Sequence, residues 1–185
     1  MPNDQIEPSA ASTPQGSIRA SHTVPDGALA ALGLWVAVLV FALDQTHKWW
    51  MLLVYRMKEK GRVPVAPFMD FVYVINHGVS YGMMTADDPR WQIALAAFAV
   101  AVSVGLVVWL RRSADSRVLA ASIGLIVGGA LGNALDRLLI GGVFDYVSLH
   151  AFGFHWYVFN IADVAIVAGV AGLMYDFVYP NRTAR

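Results

Sequence analysis

VLAASIGLIVGGALGNALDRLLIGGVFDY, residues 118–146, decides the fold because it sets a long apolar run directly against charge. Val118 to Leu135 approaches the ~20 residues that a helix needs to cross ~30 Å of hydrocarbon. The run closes on Gly132-Asn133-Ala134-Leu135-Asp136-Arg137, and Gly142-Val143-Phe144-Asp145-Tyr146 follows within ten residues. Charge at the edge of hydrocarbon is expensive, so these blocks read first as a site.

Working outward, three further apolar runs of similar length extend from Gly27 to Leu43, Trp91 to Leu110 and Phe159 to Tyr179. The 185-residue chain is 57% hydrophobic and only 14% charged, with mean hydropathy +0.54, too apolar for an ordinary soluble domain. The expected fold is an all-α membrane protein of four transmembrane helices, with both termini on one side. Residues 1–28 form a polar tail expected to be disordered, 29–179 the four-span domain and 180–185 a short C-terminal tail. The N-terminal tail carries only Arg19 as a basic residue and lacks the charged start, apolar centre and small-residue exit of a cleaved signal peptide. The first span is therefore read as uncleaved.

The formal net charge is +0, and no basic patch could neutralise a run of phosphates, so nucleic acid is not an expected partner. The absence of cysteine removes disulfides and thiolate chemistry and leaves carboxylates, hydroxyls, His, Lys and Arg.

Alternating span direction brings Asp44, Asp136 and Asp163 to the same membrane face, together with the loops 49–89 and 138–157. The other face receives Arg111, Arg112 and Arg117 in one short connection, which marks it as cytoplasmic. Arg56, Lys58, Lys60 and Arg62 in the long loop pull the other way; the short, dense loop is given the greater weight. Val63 to Tyr81, rich in Val, Phe, Tyr and Pro and closing on Asn76 and Gly78, predicts short strands and a turn over the site. Gly124, Gly128 and Gly132 fall on one helical face, where a neighbouring backbone can approach closely.

Each polar block has an ordinary reading beside a functional one. Asp44 and Lys48, one turn apart, can form an interfacial ion pair. Asn133 and Arg137 project from one face, and an Asn in an apolar helix must find hydrogen bonds. Asp145 reads as a loop carboxylate, but one flanked by apolar residues. Asn160 and Asp163 open the last span, where Asp163 could serve only the helix N-terminus. Two carboxylates brought together at an apolar boundary, however, cannot both ionise cheaply, so one tends to keep a proton. Asp145 and Asp163 at one face can thus act as base and acid on a water and a peptide carbonyl without a metal. His22, His47, His77, His150 and His155 show no metal-binding spacing. No Ser lies in a nucleophile-elbow pattern, and Ser103 and Ser122 are mid-span.

Taken together, Asp44-Gln45-x-x-Lys48, Asn76-x-Gly78, Gly132-Asn133-x-x-Asp136-Arg137 with Gly142-x-x-Asp145-Tyr146, and Phe159-Asn160-x-Ala162-Asp163 resemble lipoprotein signal peptidase, the bacterial four-span aspartyl peptidase family also called signal peptidase II. The resemblance covers about residues 30–178. It implies that Asp145 and Asp163 are the catalytic dyad and that Asp44, Lys48, Asn76, Gly78, Asn133, Asp136, Arg137 and Asn160 bind substrate or shape the site. It further implies a diacylglyceryl-modified prolipoprotein as substrate, cut just before the lipidated cysteine, with membrane lipid as surroundings and no metal or other cofactor. The location implied is the bacterial inner membrane, with both termini cytoplasmic and the site at the periplasmic or outer face; a monomer is expected. Within this frame Asn76 and Asn133 position the substrate backbone or the developing oxyanion, and Arg137 holds the loop through carboxylates. The polar N-terminal extension and Ser80-Tyr81-Gly82 depart from the family pattern.

Three other classes compete. A proton-coupled transporter would also place carboxylates in a membrane, though here they gather at one face. A metal-dependent lipid- or phosphate-transfer enzyme could use Asp44, Asp136, Asp145 and Asp163 as oxygen ligands. A non-enzymatic helical scaffold would leave the polar blocks without a purpose.

Overall fold

The structure is a computed structural model that describes residues 27–78, 89–113 and 115–179. Most of the polar N-terminal tail, the C-terminal tail and Ser80-Tyr81-Gly82 lie outside these residues. Four helices are long and apolar enough to span a membrane: Ala28–Val54, Pro89–Arg112, Arg117–Ile140 and Ile161–Val178. The first is α1 (Ala28–Trp49) continued by a π-helical turn, Trp50–Val54; a short α2 (Met57–Lys60) follows, then α3 (Pro89–Ser113), α4 (Arg117–Ile140) and α5 (Ile161–Val178).

The central helix is α4, which packs against α1, α3 and α5. Its glycine stripe is what lets α1 lie so close. A Cβ at Gly128 would stand 2.5 Å from the Ala37 carbonyl oxygen, and one at Gly124 would meet the Gly33 carbonyl. One residue round the helix, a Cβ at Gly129 would reach within 2.5 Å of the Ala162 carbonyl of α5. Lipid gives helices no hydrophobic reason to associate, so such backbone approach and its van der Waals contact carry the packing. At the end of the bundle away from the acidic blocks, the Ser116 hydroxyl both caps α4 by accepting from Leu119 N and donates to Asp176 near the end of α5.

Two expectations need correction. The first helix does not end near Asp44 but runs ten residues further, because Asp44, Gln45 and Lys48 are buried and bonded to one another and to α4. The segment after α4 is not a loop: Val143–Ala151 is a strand, β3. The β element predicted between spans 1 and 2 is present as β1 (Arg62–Ala66) and β2 (Met69–Asn76), but β3 and the short β4 (Phe154–His155) complete an antiparallel sheet of order β1-β2-β3-β4. All four residues Val143 to Tyr146 are buried, so the strand lacks the in-and-out alternation that announces a half-exposed strand. Met51, Met57, Phe144 and Tyr146 form the core that fixes the sheet to the helix ends.

Candidate active site

Three helix ends and two strands converge here. From α1, Lys48 Nζ lies 2.8 Å from both Asp44 Oδ2 and Asp136 Oδ2 and donates to Asn133 Oδ1 at 3.1 Å. Gln45 Nε2 reaches Asp136 Oδ1 at 2.9 Å and the Gly132 carbonyl at 3.1 Å. One cation thus sits between two buried carboxylates, an arrangement that repays its desolvation only because every partner is also hydrogen-bonded. Asp136 in turn accepts from Phe144 N at 3.2 Å, tying α4 to β3.

The start of α5 is built with equal economy. Asn160 is its N-cap: its side chain accepts from Asp163 N at 3.0 Å, and Asp163 Oδ2 accepts from Asn160 N at 3.1 Å, a reciprocal capping box. Asp44 Oδ1, from the far end of the sequence, accepts from Ala162 N at 3.0 Å. Two of the backbone N–H groups that a helix start leaves unpaired are therefore satisfied by side chains, and the orientation of Asp163 is fixed by α1 as well as by its own turn.

The sheet delivers the second carboxylate. Register pairs Val74 with Asp145 and Asn76 with Val143, so Asn76 and Asp145 are diagonal neighbours on one face. Asn76 Nδ2 donates to Asp145 Oδ2 at 3.0 Å, while its carbonyl oxygen accepts from Gly78 N at 2.8 Å. Gly78 adopts φ +73, in the left-handed region, and a side chain there would press on Leu95 and approach Arg137. Phe159 pairs with Val147 through backbone bonds in both directions, which seats the next residue, Asn160, beside β3. Its Nδ2 donates to Asp145 Oδ1 at 2.6 Å and to Asn133 Oδ1 at 3.2 Å. Asn133 Nδ2 completes the ring by donating to Asp163 Oδ1 at 2.9 Å.

Asp145 and Asp163 are therefore joined through Asn160 and Asn133, each carboxylate held by amide donors on two sides. Asp145 is 2% exposed, and burial pushes its carboxyl up to about 6, helped by the nearby charge of Asp163 and opposed by the hydrogen bonds of Asn76 and Asn160. A carboxyl in that range can hold or release a proton near neutrality.

All ten residues singled out from the sequence meet at this one end of the bundle. The amides of Asn76 and Asn133 serve the two carboxylates directly, each Nδ2 retaining a second proton. Arg137 Nη1 donates to the Asn133 carbonyl at 3.0 Å, and among the described residues no ion pair joins it to a carboxylate; Asp145, Asp163 and Asp136 act on it through space. Gln45 belongs to the first polar block, and nothing in local spacing announces its reach across 91 residues to Asp136. His150 and His155, unrelated by helical spacing, come together across β3 and β4 with ring centroids 5.5 Å apart.

Residues 36–179 match the family model described as signal peptidase (SPase) II. The chain belongs to the signal peptidase II family. Its curated relatives include lipoprotein signal peptidases of Methylorubrum extorquens, 49% identical over 148 residues that cover 80% of this chain and 86% of the relative, and of Methylocella silvestris, 44% identical over 153 residues that cover 83% and 89%. A solved structure described as a bacterial membrane enzyme superposes with TM-score 0.69 at 25% identity, covering 82% of this chain and 95% of the other. A second, similarly described, gives 0.67 at 24% over 84% and 92%. This signal peptidase II family member is thus a multi-pass membrane peptidase, and the family match takes in all ten of these residues.

Proposed function

We propose that this protein is a membrane aspartyl endopeptidase that removes the signal peptide from diacylglyceryl-modified prolipoproteins, cutting just before the lipidated cysteine. The observation that carries the reading is the pair Asp145 and Asp163, each gripped by asparagine amides and linked through Asn160, at one end of a membrane bundle. The names of its relatives as lipoprotein signal peptidases supply the substrate class.

In the working state the two carboxylates share one proton. The ionised one takes a proton from a water as its oxygen attacks the scissile carbonyl carbon, while the protonated one donates to the carbonyl oxygen. The resulting diol collapses as a proton passes to the leaving nitrogen, the C–N bond breaks, and the dyad again holds one proton. Asn76, Asn133 and Asn160 keep the carboxylates in place during this exchange, and Asn76 and Asn133 each have a second amide proton to offer the developing charge. Lys48, Asp44, Asp136 and Gln45 hold the three helix ends together as positioning residues. The arginines at the far loop favour a cytoplasmic face there, a reading that has both termini on the cytoplasmic side of the inner membrane and the dyad at its periplasmic or outer face. A lipid-anchored substrate suits a site at that interface, and the site is complete within one chain, as a monomer requires.

The test is cleavage of a synthetic diacylglyceryl prolipoprotein by purified protein in detergent, with a strong chelator present, for wild type, Asp145→Asn and Asp163→Asn. Wild type is expected to cleave, and each amide, which keeps volume but cannot act as base or carry the shared proton, to lose at least ~10³-fold in rate. Substantial turnover by either variant sinks the dyad. Activity abolished by chelator would favour the metal-ion reading.

A further inference from the structure

Between α3 and α4 runs a groove of about 230 Å³. One wall follows α3 from Val100 through Val104 to Arg111, and Val127 and Leu131 of α4 form the other. Gly129 and Asn133, each two residues further along α4, project ~200° away round the helix, where they meet Ala162 of α5 and Asp163. The groove therefore opens on the side of α4 turned away from the dyad, and the peptidase mechanism makes no use of it. Val100 and Val104 are exposed within a spanning helix, so membrane lipid is what meets them. Arg111 closes the groove at the end of α3, and among the described residues no ion pair engages it or its exposed neighbours Arg112 and Arg117. The carboxylates at this end are Asp115, exposed in the connection between α3 and α4, and Asp176, which accepts from the Ser116 hydroxyl. Three guanidinium groups against two carboxylates leave the end positive.

We propose that this groove binds one anionic phospholipid of the surrounding membrane, with its phosphate on Arg111 and one acyl chain laid along Val104 and Val100. Two observations choose this occupant. The first is charge: a guanidinium offers its donors as a planar fork that fits a phosphate bidentately, and basic pockets between spanning helices hold acidic headgroups. The second is length. From Arg111 to Val100 is eleven residues, ~16 Å of helix, about half of the ~30 Å hydrocarbon core. The groove thus matches the depth of a single leaflet, starting at a cation and ending at mid-membrane, as a lipid does. A spanning helix from a second copy would need a seat through both leaflets, and a free phosphate would leave the valine wall without a partner.

The experiment titrates the purified full chain in detergent with dioleoyl phosphatidylglycerol or dioleoyl phosphatidylcholine and reads the first bound lipid by native mass spectrometry. Wild type is compared with Arg111→Gln and Val104→Trp in the groove, and with the controls Arg112→Gln and Val102→Phe, which change charge or bulk outside it. Wild type is expected to bind phosphatidylglycerol ~5-fold tighter than phosphatidylcholine. Arg111→Gln should weaken phosphatidylglycerol about tenfold, as the loss of a charge-assisted hydrogen bond implies, and Val104→Trp should weaken both lipids. Both controls should stay close to wild type. Equal losses in Arg111→Gln and Arg112→Gln would mean diffuse attraction with no site, and overturn the proposal. So would unchanged affinity in Val104→Trp, the absence of any preference for phosphatidylglycerol, or displacement of the lipid by inorganic phosphate, which would mark a free-anion site. Thermal midpoints without lipid check that each variant is folded; should Val104→Trp not fold, the two arginine variants decide alone.

Discussion

Replacing Asn76 with Ala tests whether the asparagine amides set the working proton affinity of the dyad. Asn76 sits at the end of β2 on an exposed stretch of backbone, caps no helix and donates a single bond, 3.0 Å, to Asp145 Oδ2. A hydrogen bond to a charged acceptor is worth about 1.5–3 kcal/mol, and 1.36 kcal/mol corresponds to one pKa unit, so its loss should raise the Asp145 carboxyl by ~1–2 units. The sign follows from the donor's preference: the amide favours the ionised acid, and without it the proton is kept to higher pH. Asp145 starts at about 6, pushed up mainly by burial, so the variant should place it at ~7–8. If the active form is the singly protonated dyad, the alkaline limb of kcat/KM reports loss of that proton. The assay is therefore the pH profile of prolipoprotein cleavage, from pH 5 to 9, with the thermal midpoint measured alongside. The alkaline limb is expected to move up by ~1–2 units while the midpoint changes little. A folded variant whose rate falls by one factor at every pH, or whose limb moves toward acid, would refute the reasoning.

Two further outcomes test the supporting frame. Lys48→Met leaves the buried carboxylates of Asp44 and Asp136 facing each other without their cation; losing one partner of a buried pair costs ~3–5 kcal/mol, and thermal unfolding in detergent should show a large destabilisation. Gly128→Val puts a Cβ 2.5 Å from the Ala37 carbonyl oxygen and 2.8 Å from Val40 Cβ; overpacking of ~2–3 kcal/mol should lower the midpoint by roughly 5–10 °C, whereas Gly105→Val in α3, where nothing stands within 4 Å, should not.

The sequence determined the elements that depend on local spacing and on solvent. Four apolar runs of spanning length can be satisfied in lipid only as helices, and those helices are present. The i,i+4 spacing of Asp44 and Lys48 predicts a pair, found at 2.8 Å, and the spacing of three in Asn160 and Asp163 predicts neighbours, found as a capping box. The glycine stripe, read from its period of four, marks the face that α1 approaches. The same spacing rules could not place Asp145, because its strand is buried on both faces and shows no alternation, although Val143-Phe144 and Tyr146-Val147 carry the β-branched and aromatic composition of a strand. Nor could hydropathy show that α1 continues beyond Asp44, since it scores Asp44, Gln45 and Lys48 as though water were their only partners. Tertiary structure supplied those partners: Asp136 and Asn133 from α4, Ala162 from α5 and, through the register of β2 on β3, Asn76 for Asp145. The types of residue that do chemistry are legible in a chain because each is costly in an apolar run, but which of them grips which is decided by strand register and helix packing, whose contacts join positions as far apart as Asp44 and Ala162.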